Sequence, residues 1–147
     1  MTDNNQPQSP QAEDPRHQRR IELMQAVFSR DFTNQGEQYV TDPEITKEVE
    51  EIFTETEELD RQIQEVATER PLSEINKVDL AILRLVMFES KHKKTPIKVL
   101  INEAVELAKE FGTESSPKFV NGVLGKILVN VEQNTKHQDN NGQVSDE

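Results

Sequence analysis

Residues Pro96–Leu128 read PIKVLINEAVELAKEFGTESSPKFVNGVLGKIL, and this stretch decides the fold. Thr95 is placed to cap a helix. Pro96 takes its first position, where the missing N–H would be unsatisfied anyway. Ile97, Leu100, Ile101, Ala104, Leu107, Ala108 and Phe111 then recur at helical spacing. Gly112 supplies a left-handed stop. Ser116 and Pro117 repeat the start signal, and Phe119, Val120, Val123, Leu124, Ile127 and Leu128 form a second apolar stripe. The stretch predicts an antiparallel helix pair. Asn121 and Gly122 inside the second helix are poor helix formers; close packing of that helix on a neighbour would compensate, with Asn121 hydrogen-bonded in the interior.

Upstream, three more helices follow from the same logic. One runs from about Pro15 to Phe32, capped by Asp14, with Ile21, Met24, Val27 and Phe28 as its stripe. A loop with Asn34, Gln35 and Gly36 follows. A second helix starts after Asp42-Pro43 and runs to about Glu69, with a break allowed near Thr54–Glu57. Arg70-Pro71 ends it. A third is capped by Asn76, carries Asp79 at its third position, pairs Ile75 with Leu80 as a staple, and ends near Ser90–Lys94. No strand alternation, internal repeat or Gly-rich phosphate loop occurs. The expectation is an all-α, compact helical bundle.

The chain has 147 residues. Polar ends at 1–13 and 133–147 are too poor in apolar side chains to offset chain entropy and are expected to be disordered. One helical domain over 14–132 remains. No run of about 18 apolar residues and no signal-peptide core is present, so the expected place is the cytoplasm, with no membrane. There is no cysteine, and His17, His92 and His137 stand apart. No metal, cofactor or catalytic residue is expected: the acids run along one helix rather than converging, and no D-x-D-x-D-G loop occurs.

The net charge is −11, but it is unevenly spread. Asp42–Glu69 holds eleven acids against Lys47 and Arg61, expected as a solvated face. Arg16, Arg19 and Arg20 share one helix face at i, i+3 and i+4. A charged, solvated face is one reading; phosphate contact is the other, because a local basic patch can act even on an acidic protein. Phe119 reads as core or as a base-stacking ring beside Lys118. Arg84, flanked by Leu83 and Leu85, suggests a partly buried ion pair, with Glu103 as one partner.

The words INEAVELAKEFG and KFVNGVL, with VDLAILRLVMFE at Val78–Glu89, closely resemble signatures of the NusB family of bacterial transcription antitermination proteins. The likeness covers about Arg16–Leu128 and is strongest from Leu72 onward. The 31–58 region is shorter than in the family, and Arg70 stands where a tryptophan is common. The resemblance implies a non-enzymatic factor that binds boxA-like RNA together with NusE, a small-subunit ribosomal protein. It would act in the RNA polymerase antitermination complex on ribosomal RNA operons. It further implies RNA contact through Arg16, Arg19, Arg20, Lys118 and Phe119, and NusE contact through Phe28 and Asp79. A protein–protein adaptor or homodimer with little RNA binding of its own stays open, because the arginine motif is thinner than usual.

Overall fold

Aspartates open the first two helices. Asp14 Oδ1 accepts the Arg16 backbone N–H at 2.9 Å, and Asp42 Oδ1 accepts that of Glu44 at 2.9 Å. Each satisfies a donor that a helix start leaves orphaned. In the computed structural model, residues 14–33 and 42–129 are described. The expected tails and the loop around Asn34–Gly36 lie outside these residues.

The helices are α1 (Pro15–Thr33), α2 (Pro43–Thr54), α3 (Thr56–Val66), α4 (Lys77–His92), α5 (Ile97–Phe111) and α6 (116–129), with a single 3₁₀ turn at Leu72–Glu74. The described residues contain no strand. The architecture is an all-α bundle, as expected.

The long acidic helix is two helices. At Glu55 the chain leaves helical geometry, and its N–H turns to the Ile52 carbonyl. The Thr54 and Thr56 hydroxyls donate back to the Glu51 and Ile52 carbonyls at 2.6 and 3.2 Å, which offers the backbone an alternative to continuing the ladder. The second half stops at Val66, three residues earlier than expected. Gln64 closes the following turn: its amide donates to the Ala67 and Arg70 carbonyls and its oxygen accepts from Leu72 N–H.

Asn76 caps α4 as anticipated, accepting from Val78 and Asp79 N–H at 2.9 and 3.2 Å. Every residue from Asp79 to Glu89 is buried, so α4 is the central helix, packed by α1, α3 and α5. Arg84 and Glu89 are tolerated there only because each is paired. Arg84 makes a two-pronged pair with Asp60 of α3 at 2.9 and 2.8 Å and reaches Asp31 of α1 at 3.3 Å. Glu103, the partner suggested by the sequence, is engaged elsewhere.

Three local expectations are corrected. Thr95 does not cap α5; its hydroxyl donates to Glu89 Oε2 at 2.7 Å, and Pro96 holds the cap position. Gly112 is not left-handed (φ −93°, ψ −162°). Glycine is required there by crowding: a Cβ would lie 2.5 Å from Ser116 Oγ and 2.8 Å from the Ala108 carbonyl oxygen. Gly122 is not packed against a neighbour; a Cβ there meets nothing within 4 Å, and Asn121 is exposed rather than interior. Gly122→Ala should therefore raise folding stability by about 1 kcal/mol, the difference in helix propensity, readable as an increase in urea midpoint. A loss of stability would show that an internal contact requires glycine there.

Candidate nucleic-acid interface

The first turns of α1 carry Arg16, His17, Arg19 and Arg20, and the structure separates them. The Arg16 side chain is 82% exposed, and its one ion pair among the described residues is with Asp14. Arg19 is partly exposed and donates to Glu48 Oε1 at 2.9 Å; Lys93 holds the other oxygen of the same carboxylate. Glu48 is thus a buried anchor rather than part of a solvated acidic face, and Glu55 likewise pairs with Lys91 and His92. The expectation that three arginines share an exposed face is corrected at Arg20. It is buried, grips Glu89 through Nε and Nη2 at 3.0 and 2.8 Å, and donates through Nη1 to Glu103 at 3.1 Å.

His17 completes this network. It is buried between Glu103 (2.9 Å) and Glu110 (3.4 Å) of α5. Burial pushes its pKa down, but the two carboxylates push it up further, and the net shift is upward from 6.5. Burial also works on Glu89 in the unfavourable direction, and Arg20, Thr95 and Lys93 outweigh it, holding the carboxyl below its ordinary value. A histidine pKa raised by folding stabilises the fold fully below the unfolded value near 6.5 and loses that contribution as pH rises through the folded value. Stability should fall as pH rises above about 6.5 and through the raised folded value, and His17→Gln should flatten that dependence in denaturant titrations. An unchanged slope in the variant would remove His17 from the network.

Lys118 and Phe119 open α6. Lys118 is exposed and Phe119 half-buried. Lys118 borders two grooves. One, of about 550 Å³, lies between α5 and α6 and includes Glu103, the carboxylate that His17 and Arg20 hold from the other side. The other, of about 500 Å³, lies between residues 66–70 and α6. There the Arg70 guanidinium sits 5.3 Å above the Phe119 ring centroid, a cation–π contact. Glu103 is thus held by the start of α1 and lines a groove that the start of α6 borders. Arg70 and Lys126, which line the second groove, escaped sequence reasoning. Neither carries a motif, and only the fold sets them beside Phe119.

Phe28 has its ring contact within α1, whereas Asp79 lies close enough to Ser116 and Arg70 to feel both. Phe28 is half-buried and packs edge-on against Phe32 at 4.8 Å, and Phe32 is 62% exposed. Asp79, for which the resemblance implies a partner contact, is only 3% exposed. Burial raises its pKa, against the Ser116 hydroxyl and the Arg70 charge, and Oδ1 has no hydrogen-bond partner among the described residues. No group of three His, Asp or Glu among the described residues is arranged to hold a metal, and no described helix is long and apolar enough to cross a membrane.

The NusB family model matches residues 11–129. Transcription antitermination protein NusB of Chloroflexus aggregans is 42% identical over 129 residues, spanning 77% of this chain and 86% of that protein. Its namesake in Acetivibrio thermocellus is 38% identical over 119 residues, spanning 80% and 79%. The solved structure of T. maritima NusB superposes with a TM-score of 0.66 at 29% identity, covering 78% of this chain and 90% of that one. With the family signature spanning nearly the whole helical region, this chain belongs to the NusB family, whose members are non-enzymatic transcription antitermination factors.

Proposed function

We propose that the protein binds boxA-like single-stranded RNA together with NusE in the bacterial cytoplasm, as part of the RNA polymerase antitermination complex on ribosomal RNA operons. The observation that carries this reading is the continuity between exposed Arg16 and the Lys118–Phe119 corner. Arg16 opens the helix whose His17 and Arg20 hold Glu103, and Glu103 and Lys118 line one groove. Phosphates meet cations at the rims of that face, while Arg20 acts as the buried strut that holds α1 in place. Arg19 adds charge to the rim while remaining tied to Glu48. The NusE-facing surface centres on the Phe28–Phe32 pair. Asp79 contributes from beneath, reached only if the Arg70–Ser116 corner moves.

Fluorescence anisotropy with a boxA-like RNA, with and without NusE, tests the reading. Arg16→Ala with Lys118→Ala should weaken binding and flatten the log–log salt slope by roughly 1.4, about 0.7 per phosphate contact on a single strand. A folded wild-type chain that binds no RNA, alone or with NusE, would overturn it. The adaptor reading gains from one observation: Arg19 and Arg20 are both held by the protein's own carboxylates, which leaves fewer free cations for RNA. RNA binding that appears only in the presence of NusE, and is insensitive to the double replacement, would favour it.

A further inference from the structure

We propose that His17 is a positioning residue that makes RNA binding proton-dependent: its imidazolium pins the first turn of α1, which carries Arg16, onto Glu103 and Glu110 of α5, and the grip on RNA weakens when that proton is lost. The proposal rests on the RNA reading above and adds a control that this reading does not require.

The ring geometry is the first observation. Nδ1 lies 2.9 Å from Glu103 Oε1, and Nε2 lies 3.4 Å from Glu110 Oε1. A neutral imidazole has one N–H and one lone pair, so one nitrogen would turn its lone pair on a carboxylate oxygen. Only the imidazolium donates to both. The two carboxylates differ in what they do when the proton leaves. The Glu103 side chain is 14% exposed and keeps the shorter contact, whereas that of Glu110 is 51% exposed and is free to turn to water. Deprotonation therefore cuts one of the two ties between the ring and α5. Arg16, the exposed cation of that turn, is the residue next to it.

Charge is the second observation. On α1, Asp14 and Arg16 pair with each other, and Arg20 gives two donors to Glu89 of α4 and one to Glu103. On α5, Glu106 pairs with Lys109 between the two carboxylates that hold His17. After α4, Lys93 pairs with Glu48 and adds its field to Glu89, to which Thr95 donates. On α6, Lys118 lines the same groove as Glu103 and Glu106. The ion-paired cluster that contains the ring sets two cations, His17 and Arg20, against three carboxylates, Glu89, Glu103 and Glu110. Loss of the His17 proton raises its excess negative charge from one to two, and Glu103 carries part of that charge into the lining beside Lys118. Phosphates near that lining are then held less well. His92 does not repeat the device: it is exposed, and its ion pair uses one nitrogen.

The linkage has a fixed sign. RNA prefers the protonated form, so binding raises the proton affinity of His17 and takes up protons. Affinity is full below the His17 pKa of the free folded protein, which lies above 6.5, and declines as pH rises through it.

The test is calorimetric titration of a boxA-like RNA into the full chain with NusE, from about pH 6 upward. Near neutral pH it is repeated in HEPES and in Tris, whose different ionisation heats report protons taken up. Wild-type affinity should fall about threefold across the titration, the effect of one unit charge acting on nearby phosphates through a largely aqueous path, with protons taken up on binding. His17→Gln should bind weakly at every pH with no uptake. His17→Arg, which keeps a cation that does not titrate, should bind tightly at every pH with no uptake. His92→Gln should match the wild type. A merely structural His17 would weaken both variants alike and leave the wild-type profile flat. Circular dichroism checks folding; if His17→Arg does not fold, the wild type and His17→Gln still decide. Wild-type binding without uptake, or uptake that persists in His17→Gln, would overturn the proposal while the RNA reading stands. If the wild type binds no RNA at any pH, both fall.

Discussion

Arg20→Ala should lower folding stability by about 4–5 kcal/mol, the upper part of the range for breaking a buried ion pair. The Arg20 side chain leaves behind Glu89, whose own side chain is 7% exposed and cannot rehydrate, and it strips Glu103 of one of its two partners. Lysine is a poor substitute, because only the guanidinium fork meets both Glu89 oxygens at once. For a domain of about 100 residues the melting temperature should drop by roughly 15 °C or more. Arg20→Met combined with Glu89→Leu should recover much of the loss, since replacing a buried pair by apolar groups of similar volume is often neutral. Thermal unfolding followed by circular dichroism reads both. A single variant melting within a couple of degrees of wild type would show that the network contributes little. One consequence bears on function: replacing all three α1 arginines together confounds RNA contact with unfolding, so Arg16 and Lys118 are the informative positions.

Arg84→Ala should destabilise by about 3 kcal/mol, less than Arg20→Ala, because its abandoned partners can reach water. The Asp60 side chain is 18% exposed and Asp31 is on the surface side of the same pair. The location differs as well as the size. Arg84 ties α4 to α3 and to the far end of α1, so hydrogen exchange should accelerate first in α3 and near Asp31, not at the start of α1. Equal acceleration at both ends of α1 would mean that the two networks are one cooperative unit. The double-mutant cycle of Arg20→Ala with Arg84→Ala measures that coupling directly.

The helices, their caps at Asp14, Asp42 and Asn76, and the central role of Val78–Glu89 follow from local pattern, because capping and periodicity act within a few residues. What local pattern misses is long-range pairing. Arg20 finds Glu89 and Glu103, partners 69 and 83 residues away. A usable signal did exist: His17, Arg20, Met24 and Val27 recur at helical spacing, which places His17 and Arg20 on the apolar stripe rather than opposite it. Arg84 announces burial through its leucine neighbours, yet the sequence suggested Glu103 and only packing selects Asp60 and Asp31. Gly112 shows a right residue for a different reason, crowding by Ser116 rather than a left-handed backbone. Thr95 shows a cap residue outbid by a tertiary carboxylate. The second groove had no sequence signal, since Arg70 and Lys126 meet across a turn and a helix that only the fold brings together.

The claim that one continuous face, from the start of α1 to α6, receives single-stranded RNA is tested most directly by photo-crosslinking. A boxA-like RNA carrying 4-thiouridine at successive positions is bound to the full chain with NusE, irradiated, and the crosslinked peptides are identified. The account predicts crosslinks in the peptides containing Arg16 and Lys118–Phe119, ordered along the RNA, and none in α2 or α3, whose exposed Glu50, Glu51, Glu57 and Glu58 repel phosphate. Crosslinks concentrated in α2 and α3, or none at either helix start while RNA remains bound, would contradict it.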